Sequence, residues 1–380
     1  MFMMLMKSKI LSEQPWSALE IFLRKTSMVL LLAMLAACVT STKEEKTETP
    51  EVLIWPSPPD LPRFAYETTL RSAADIAVDD EDTLLRRQLT GETQSLAPAM
   101  SKPYGVAARN GKIYVTDTVA RNVAVFDVPR HKVYYMGVQK PGELNKPSGI
   151  ALDKAMNVYV ADVTSQKVNV YDHLGLFLRS IGSKEELEKP TGVAVSADGD
   201  RIYVIDRSDN ASTNHRVVAY NAEGKKLFVI GRRGLMDGQF NVPVQGAVGP
   251  DGTLYVLDAG NFRVQAFDRD GKFLRAWGKI GNNIGDFARP RGIAVDDEGN
   301  VYVTDATFAN VQLFNPQGQL LLTIGTESEK DRPGYFKVPA GVAVDETGRM
   351  YVVDQFFNKV EIIRRIPQEE GERMIKGDKP

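Results

Sequence analysis

A six-bladed β-propeller, an all-β fold, is predicted by three observations. A motif recurs six times, its copies are one blade-length apart, and each copy carries strand and turn chemistry. The motif is a Pro, a spacer, Gly-Val-Ala-Val-Asp, then Tyr-Val-x-Asp and an apolar run ending in an aromatic. Its prolines are Pro103, Pro147, Pro190, Pro243, Pro290 and Pro339. Its strand-ending aspartates are Asp117, Asp162, Asp206, Asp258, Asp305 and Asp354. Copies are separated by steps from the low forties to the low fifties of residues, a period that means a propeller or an array.

Blade five shows each element in turn. Pro290-Arg291-Gly292 opens a short apolar strand, Ile293 to Asp296, and Asp297-Glu298-Gly299-Asn300 is a turn. Val301 to Asp305 is a second strand and Val311-Gln312-Leu313-Phe314 a third, alternating with period two. Gln317-Gly318 turns the chain into a fourth, Leu320 to Ile324. β-Branched and aromatic residues dominate these runs, which favours strand over helix. One such sheet cannot bury both faces, whereas six around an axis can. The Gly after each Pro (Gly105, Gly149, Gly192, Gly246, Gly292, Gly341) fits close backbone approach at the axis. In blade four, Pro243-Val244-Gln245-Gly246 reads as one extra residue between Pro and Gly.

These residues resemble the NHL-repeat family of six-bladed propellers. The resemblance rests on Gly278-Lys279-Ile280-Gly281 and on Gly285-Asp286-Phe287-Ala288-Arg289-Pro290-Arg291-Gly292-Ile293-Ala294-Val295-Asp296. Gly231 to Gly246 echoes it, with Gly238-Gln239-Phe240 before Pro243. It covers roughly Arg63 to Arg365 and implies the fold; function varies too widely among such propellers to follow from it.

The sixth repeat supplies three strands and stops before a charged tail, residues 367–380. An open edge strand is a liability. Arg63 to Leu70 has strand composition and lies outside the repeats, so it is expected to be the outer strand of blade six, closing the ring within a propeller spanning 63–366. Asp82 to Leu89 reads as helical, with Leu84, Leu85 and Leu89 on one side and Gly91 as a stop.

The first 37 residues read as an export signal. Val29 to Ala37 is an apolar run after Arg24-Lys25, too short to span a bilayer comfortably. Leu35-Ala36-Ala37-Cys38 resembles the bacterial lipobox, which implies lipidation of Cys38, the chain's one cysteine. The long stretch before Arg24 fits a translation start further along, near Met28. Residues 38–62 read as a lipidated Cys followed by a flexible, Pro-rich tether, with Pro56 to Pro62 an extended spacer. Val39 and Thr40 follow the cysteine where an Asp would mark inner-membrane retention in such lipoproteins. The expectation is an outer-membrane lipoprotein, periplasmic or surface-facing.

Net charge is −2 and no basic block of the kind nucleic-acid binding needs is present. His131 and His173 fall at third-to-fourth-strand hairpins and His215 at the opposite end of a sheet, so they read as surface residues that do not converge on a metal. The strand-ending aspartates read as turn caps rather than metal ligands. The residues between Pro and Gly, Tyr104, Ser148, Thr191, Gln245, Arg291 and Ala340, are expected at the channel mouth and include no carboxylate or imidazole. No catalytic residue, metal or cofactor is assigned.

Two features break the sixfold pattern. Blade three carries five extra residues between Asp206 and Val217. The second-to-third-strand loops of blades four to six carry Phe262, Phe308, Phe356 and Phe357, against Arg121 in blade one and Arg207 in blade three. These six residues form a candidate partner-binding rim. The expected role is a non-catalytic scaffold docking an envelope protein or peptide, with a metal-dependent propeller lyase or lactonase as the alternative.

Overall fold

A computed structural model describes residues 53–77, 85, 89–90, 98–209 and 211–376, all within the compact unit Val52–Pro380. Cys38, the export segment and most of the expected helix at 82–89 lie outside these residues.

Six antiparallel sheets follow one another along the chain, five of four strands and one of five. In blade five the strands are Pro290–Val295, Val301–Asp305, Asn310–Phe314 and Leu320–Ile324. First strands pack against first strands around the axis. The core lies between blades in six clusters, each filled by residues of adjacent sheets, such as Tyr255, Phe287 and Phe314 between blades four and five. Placing the whole apolar content between neighbours is what makes the closed ring, rather than the single sheet, the stable unit.

Blade six comprises Pro339–Val344, Met350–Asp354, Lys359–Arg365 and the N-terminal strand Phe64–Leu70. The last two are antiparallel, with Phe64 opposite Arg365, Tyr66 opposite Ile363 and Leu70 opposite Val360. Phe64, Ala65 and Leu70 are buried, and each large apolar side chain so placed contributes about 1.5–3 kcal/mol. Ring closure therefore uses strands almost 300 residues apart in the chain.

Two segments differ from expectation. Ile54–Trp55 adds a fifth strand to blade six by pairing with Ala65 and Phe64. The prolines at 56–62 therefore form the reversal between two paired strands rather than an extended spacer. Within the charged tail, Gln368–Lys376 is a helix. Arg364 forms an ion pair with Glu370 at 2.5 Å. Gly371 is buried so closely against the Pro62 carbonyl that a Cβ would come within 2.5 Å of it.

Candidate functional site: the channel mouth and the loop face

One face of the ring carries the starts of all six first strands, the second-to-third-strand turns and the loops that join blades. The six strand-ending aspartates organise it, and all are fully buried. One Asp117 oxygen accepts the Val119 and Ala120 N–H groups at 2.9 and 2.8 Å. The other accepts Ser101 and Lys102 N–H at 2.5 and 2.9 Å. Asp305 and Asp354 repeat the arrangement with their own turns and incoming loops. Asp117, Asp162, Asp305 and Asp354 thus fix a turn to the loop entering the same blade. Asp206 and Asp258 hold the incoming loop and pair with Arg216 and Arg263 of the third strand at 3.2 and 3.1 Å. A buried carboxylate needs such donors.

The glycine ring sits just inside the mouth. A Cβ on Gly149 would lie 2.6 Å from the Gly192 Cα, and one on Gly341 2.5 Å from the Tyr104 carbonyl. Blade four departs from this, but not by an insertion. Gln245 pairs with Leu257 as Gly192 pairs with Ile205, and Gly246 pairs with Val256 as Val193 pairs with Val204. Gln245 therefore occupies the ring-glycine position, and Gly246 stands where the other blades place an aliphatic residue. Val244, not Gln245, is the mouth residue of this blade. The Gln245 carboxamide lies over Gly192 and Gly149 at the neck of the channel, with Oε1 buried and unpartnered. Sequence spacing alone could not separate an inserted residue from a two-position exchange; strand register does.

The mouth residues fall into two groups. Arg291 reaches past the small Ala340 to Tyr104, its guanidinium 5.4 Å from the ring centroid. It also donates to Gln355 Oε1 at 3.2 Å, and Gln355 donates to the Pro103 carbonyl at 3.2 Å. On the other side Ser148 Oγ donates to the Thr191 carbonyl at 2.8 Å, beside Gln245. Behind the neck lies a cavity of about 200 Å³. Its walls are mainly aliphatic: Val106, Ile150, Val193, Val248, Ile293 and Val342. Arg109, Lys154, Asp297 and Glu346 stand at its far end. Asp296 and Asp345 also line it, and with the buried Asp153 they accept the hydroxyls of Tyr302, Tyr351 and Tyr159 at 2.9, 2.7 and 3.0 Å. Burial drives these phenols far above their ordinary range, so they remain donors.

The rim phenylalanines differ in exposure. Phe356 is 57% exposed and stacks edge-on against Phe357 with ring centroids 5.1 Å apart. Phe357 is half-buried, with Lys359 Nζ 5.3 Å from its centroid. Phe262 is half-buried on the blade four–five core and Phe308 is also half-buried. The reason lies in their positions, four, three and two residues after the aspartate for Phe262, Phe308 and Phe356. The fourth position adopts left-handed backbone in five blades, with φ of 58° at Arg121, 54° at Gln166, 55° at Phe262, 50° at Ala309 and 52° at Asn358. Arg121 points to solvent and Arg207 is half-buried.

His215 is not a surface residue. It is fully buried where the blade-three insertion folds back. Its Nδ1 accepts the Val242 N–H at 2.7 Å, so the proton sits on Nε2, which donates to the Asp209 carbonyl at 3.3 Å. Burial lowers its pKa below the ordinary imidazole value. The other two histidines lie at hairpins of the opposite face, His131 bonded to the Ile76 carbonyl at 2.9 Å. Among the described residues no group of three or more His, Cys, Asp or Glu side chains could hold a metal ion.

The loops before blades four and five escaped the sequence reading. Leu235, Met236, Ile280 and Ile284 are 75%, 70%, 67% and 75% exposed. The available signal was the pairing of two Gly-rich loops of matched length, each with large aliphatics that no strand or helix period explains.

Comparison with known proteins agrees with this architecture. The NHL repeat model matches residues 287–313. The fold is similar to that of a streptogramin B lyase, at 14% identity, covering 71% of this chain and 96% of the lyase with a TM-score of 0.53. It is similar to a gluconolactonase from Xanthomonas campestris at 18% identity, covering 70% and 87%, TM-score 0.53. A Bacteroides thetaiotaomicron protein of unknown function matches at 18% identity, covering 78% and 76%, TM-score 0.56. At these identities the likeness is one of fold. The repeat match and the closed ring, five sheets of four strands and one of five, show a six-bladed propeller that carries an NHL repeat.

Proposed function

We propose that the protein is a lipid-anchored propeller of the cell envelope, attached to the outer membrane through Cys38, that binds a protein or peptide on its loop face without catalysis. The observation that carries this reading is the commitment of the buried carboxylates. Those beneath the face hold turns and loops or pair with Arg216 and Arg263, Asp153, Asp296 and Asp345 hold tyrosines, and the channel between them is lined mainly by aliphatic residues. What such an arrangement offers a ligand is a rigid face. Phe356 supplies an exposed aromatic on it, beside the Arg291–Tyr104–Gln355 network and Arg121.

The test is capture of envelope proteins by the lipidated protein, with metal analysis of the same preparation. Phe356→Ser is expected to weaken partner recovery about thirtyfold, the consequence of losing an aromatic anchor worth about 2 kcal/mol, and to leave melting nearly unchanged. Mass spectrometry of the mature protein is expected to find acylated Cys38. One equivalent of tightly bound metal together with lactone hydrolysis or lyase activity would overturn the scaffold reading, and an unmodified Cys38 would overturn the anchor.

A further inference from the structure

The two loops that precede blades four and five have the same design. In the first, Gly234 N–H donates to the Phe240 carbonyl, Met236 N–H to Gln239 Oε1, and Gly238 N–H to Gln265 Oε1 at 2.9 Å. In the second, Phe287 N–H donates to the Lys279 carbonyl, Asn283 N–H to Asp286 Oδ2, and Gly285 N–H to Gln312 Oε1 at 2.9 Å. Each loop is locked from beneath by a buried glutamine of its own blade and by a buried phenylalanine, Phe240 or Phe287. The loops hold their shape without using the four aliphatic side chains, which point outward instead.

Four large aliphatics on two adjacent, hydrogen-bonded loops are not explained by the core. The surroundings define what they suit. Loop 231–242 carries Arg232, Arg233 and Asp237, and loop 278–289 carries Lys279, Asp286 and Arg289. Asp286 is buried and lies 3.8 Å from Lys279, and the exposed Asp237 lies 3.6 Å from Arg263. The two loops thus carry four cations against two carboxylates, an excess of positive charge beside an apolar centre. The neighbouring loop 182–189 is acidic, with Glu185, Glu186 and Glu188 against Lys184 and Lys189. Protein hot spots favour Trp, Tyr and Arg with leucine under-represented. Aliphatic tips beside an excess of cations, with the local backbone donors already bonded, suit the boundary of an anionic bilayer.

The path of the chain agrees. The next loop of this face, 325–337, packs on the N-terminal segment; a Cβ on Gly334 would lie 3.0 Å from Leu53 Cδ1 and 2.9 Å from the Trp55 ring. Residues 39–52 before that point reach at most about 50 Å when extended. A chain anchored at Cys38 thus enters the ring beside the loop that follows the aliphatic pair.

We infer that Leu235, Met236, Ile280 and Ile284 form a membrane-docking edge that inserts into the surface of an anionic bilayer and orients the propeller. The orienting role rests on the lipid-anchor reading; the binding itself does not, and the experiment separates them. The chain from Val39 onward retains every described residue and lacks the anchor. Its sedimentation with vesicles of phosphatidylglycerol and phosphatidylethanolamine is measured beside vesicles of phosphatidylcholine alone. Binding to the anionic vesicles, weakened by salt, is expected. Replacing all four residues by Ser is expected to reduce it about tenfold or more with unchanged melting. Absence of vesicle binding, or equal binding by the variant, would overturn the inference whatever the state of Cys38. So would a concentration-dependent dimer, or recovery of one envelope protein, lost in the variant while vesicle binding persists.

Discussion

Blades five and six solve the same packing problem with different chemistry. Blade five is built from one continuous stretch, and the centre of its third strand is Gln312. That buried side chain accepts the Gly285 N–H at 2.9 Å and donates to the Asp286 carbonyl at 2.8 Å. In blade six the matching residue is Glu361, which accepts the Gly334 N–H at 2.9 Å. A carboxylate cannot donate, so its second oxygen takes Lys359 Nζ at 2.5 Å, and both side chains are fully buried. Lys359 then donates to the Arg332 and Tyr335 carbonyls, both at 3.1 Å, and pairs with Asp331 at 2.9 Å. Thr69 of the N-terminal strand donates to Glu361 at 3.3 Å. One neutral amide in blade five is replaced by an ion pair that also engages the closing strand. Burial raises the Glu361 pKa while Lys359 opposes that shift. The late-joined blade therefore concentrates its polar satisfaction, and its vulnerability, at the point of closure.

Deleting Pro62 to Leu70 breaks the comparison outright. Blade five should be indifferent, while blade six loses a strand and three buried apolar side chains. A loss of more than about 5 kcal/mol, or aggregation through the bared edge, is expected. Unchanged melting and solubility would show that the ring does not depend on its clasp.

Lys359→Ala sharpens it. Leaving Glu361 buried and uncompensated should cost about 3–5 kcal/mol in chemical denaturation. Combining Lys359→Met with Glu361→Gln approximates the blade-five chemistry and should recover more than half of that loss. Additive damage in the double variant would mean that the two residues act independently.

The smallest expected effect concerns blade three, whose added residues tie it to the next loop through His215. The folded state keeps this imidazole neutral, whereas the unfolded one titrates near about 6.5. Below that value the unfolded chain gains a proton that the folded chain does not, so stability declines as pH falls through about 6.5 and on toward the depressed folded value. The loss should grow steadily as pH falls below about 6.5. Melting profiles from about pH 8 to pH 5 should be steeper for the native chain than for His215→Gln; parallel profiles would remove His215 as the cause.

The ring was legible in the amino-acid pattern: the six copies, the turn chemistry, the close approach at five of the six ring glycines, the capping role of four of the six aspartates and the missing strand of blade six. These are local patterns, or patterns repeated often enough to fix a period. The rest was set by contacts between distant parts of the chain. Register showed that Gln245 replaces a ring glycine, because spacing counts residues but not their partners. Packing separated exposed Phe356 from Phe262 and Phe308, because a shift of one residue along a tight turn redirects the side chain. Burial of His215 followed from an insertion folding onto a neighbouring loop, and exposure of Leu235, Met236, Ile280 and Ile284 from a backbone held by distant glutamines. Each outcome depends on contacts between blades, and those exist only once the ring has closed.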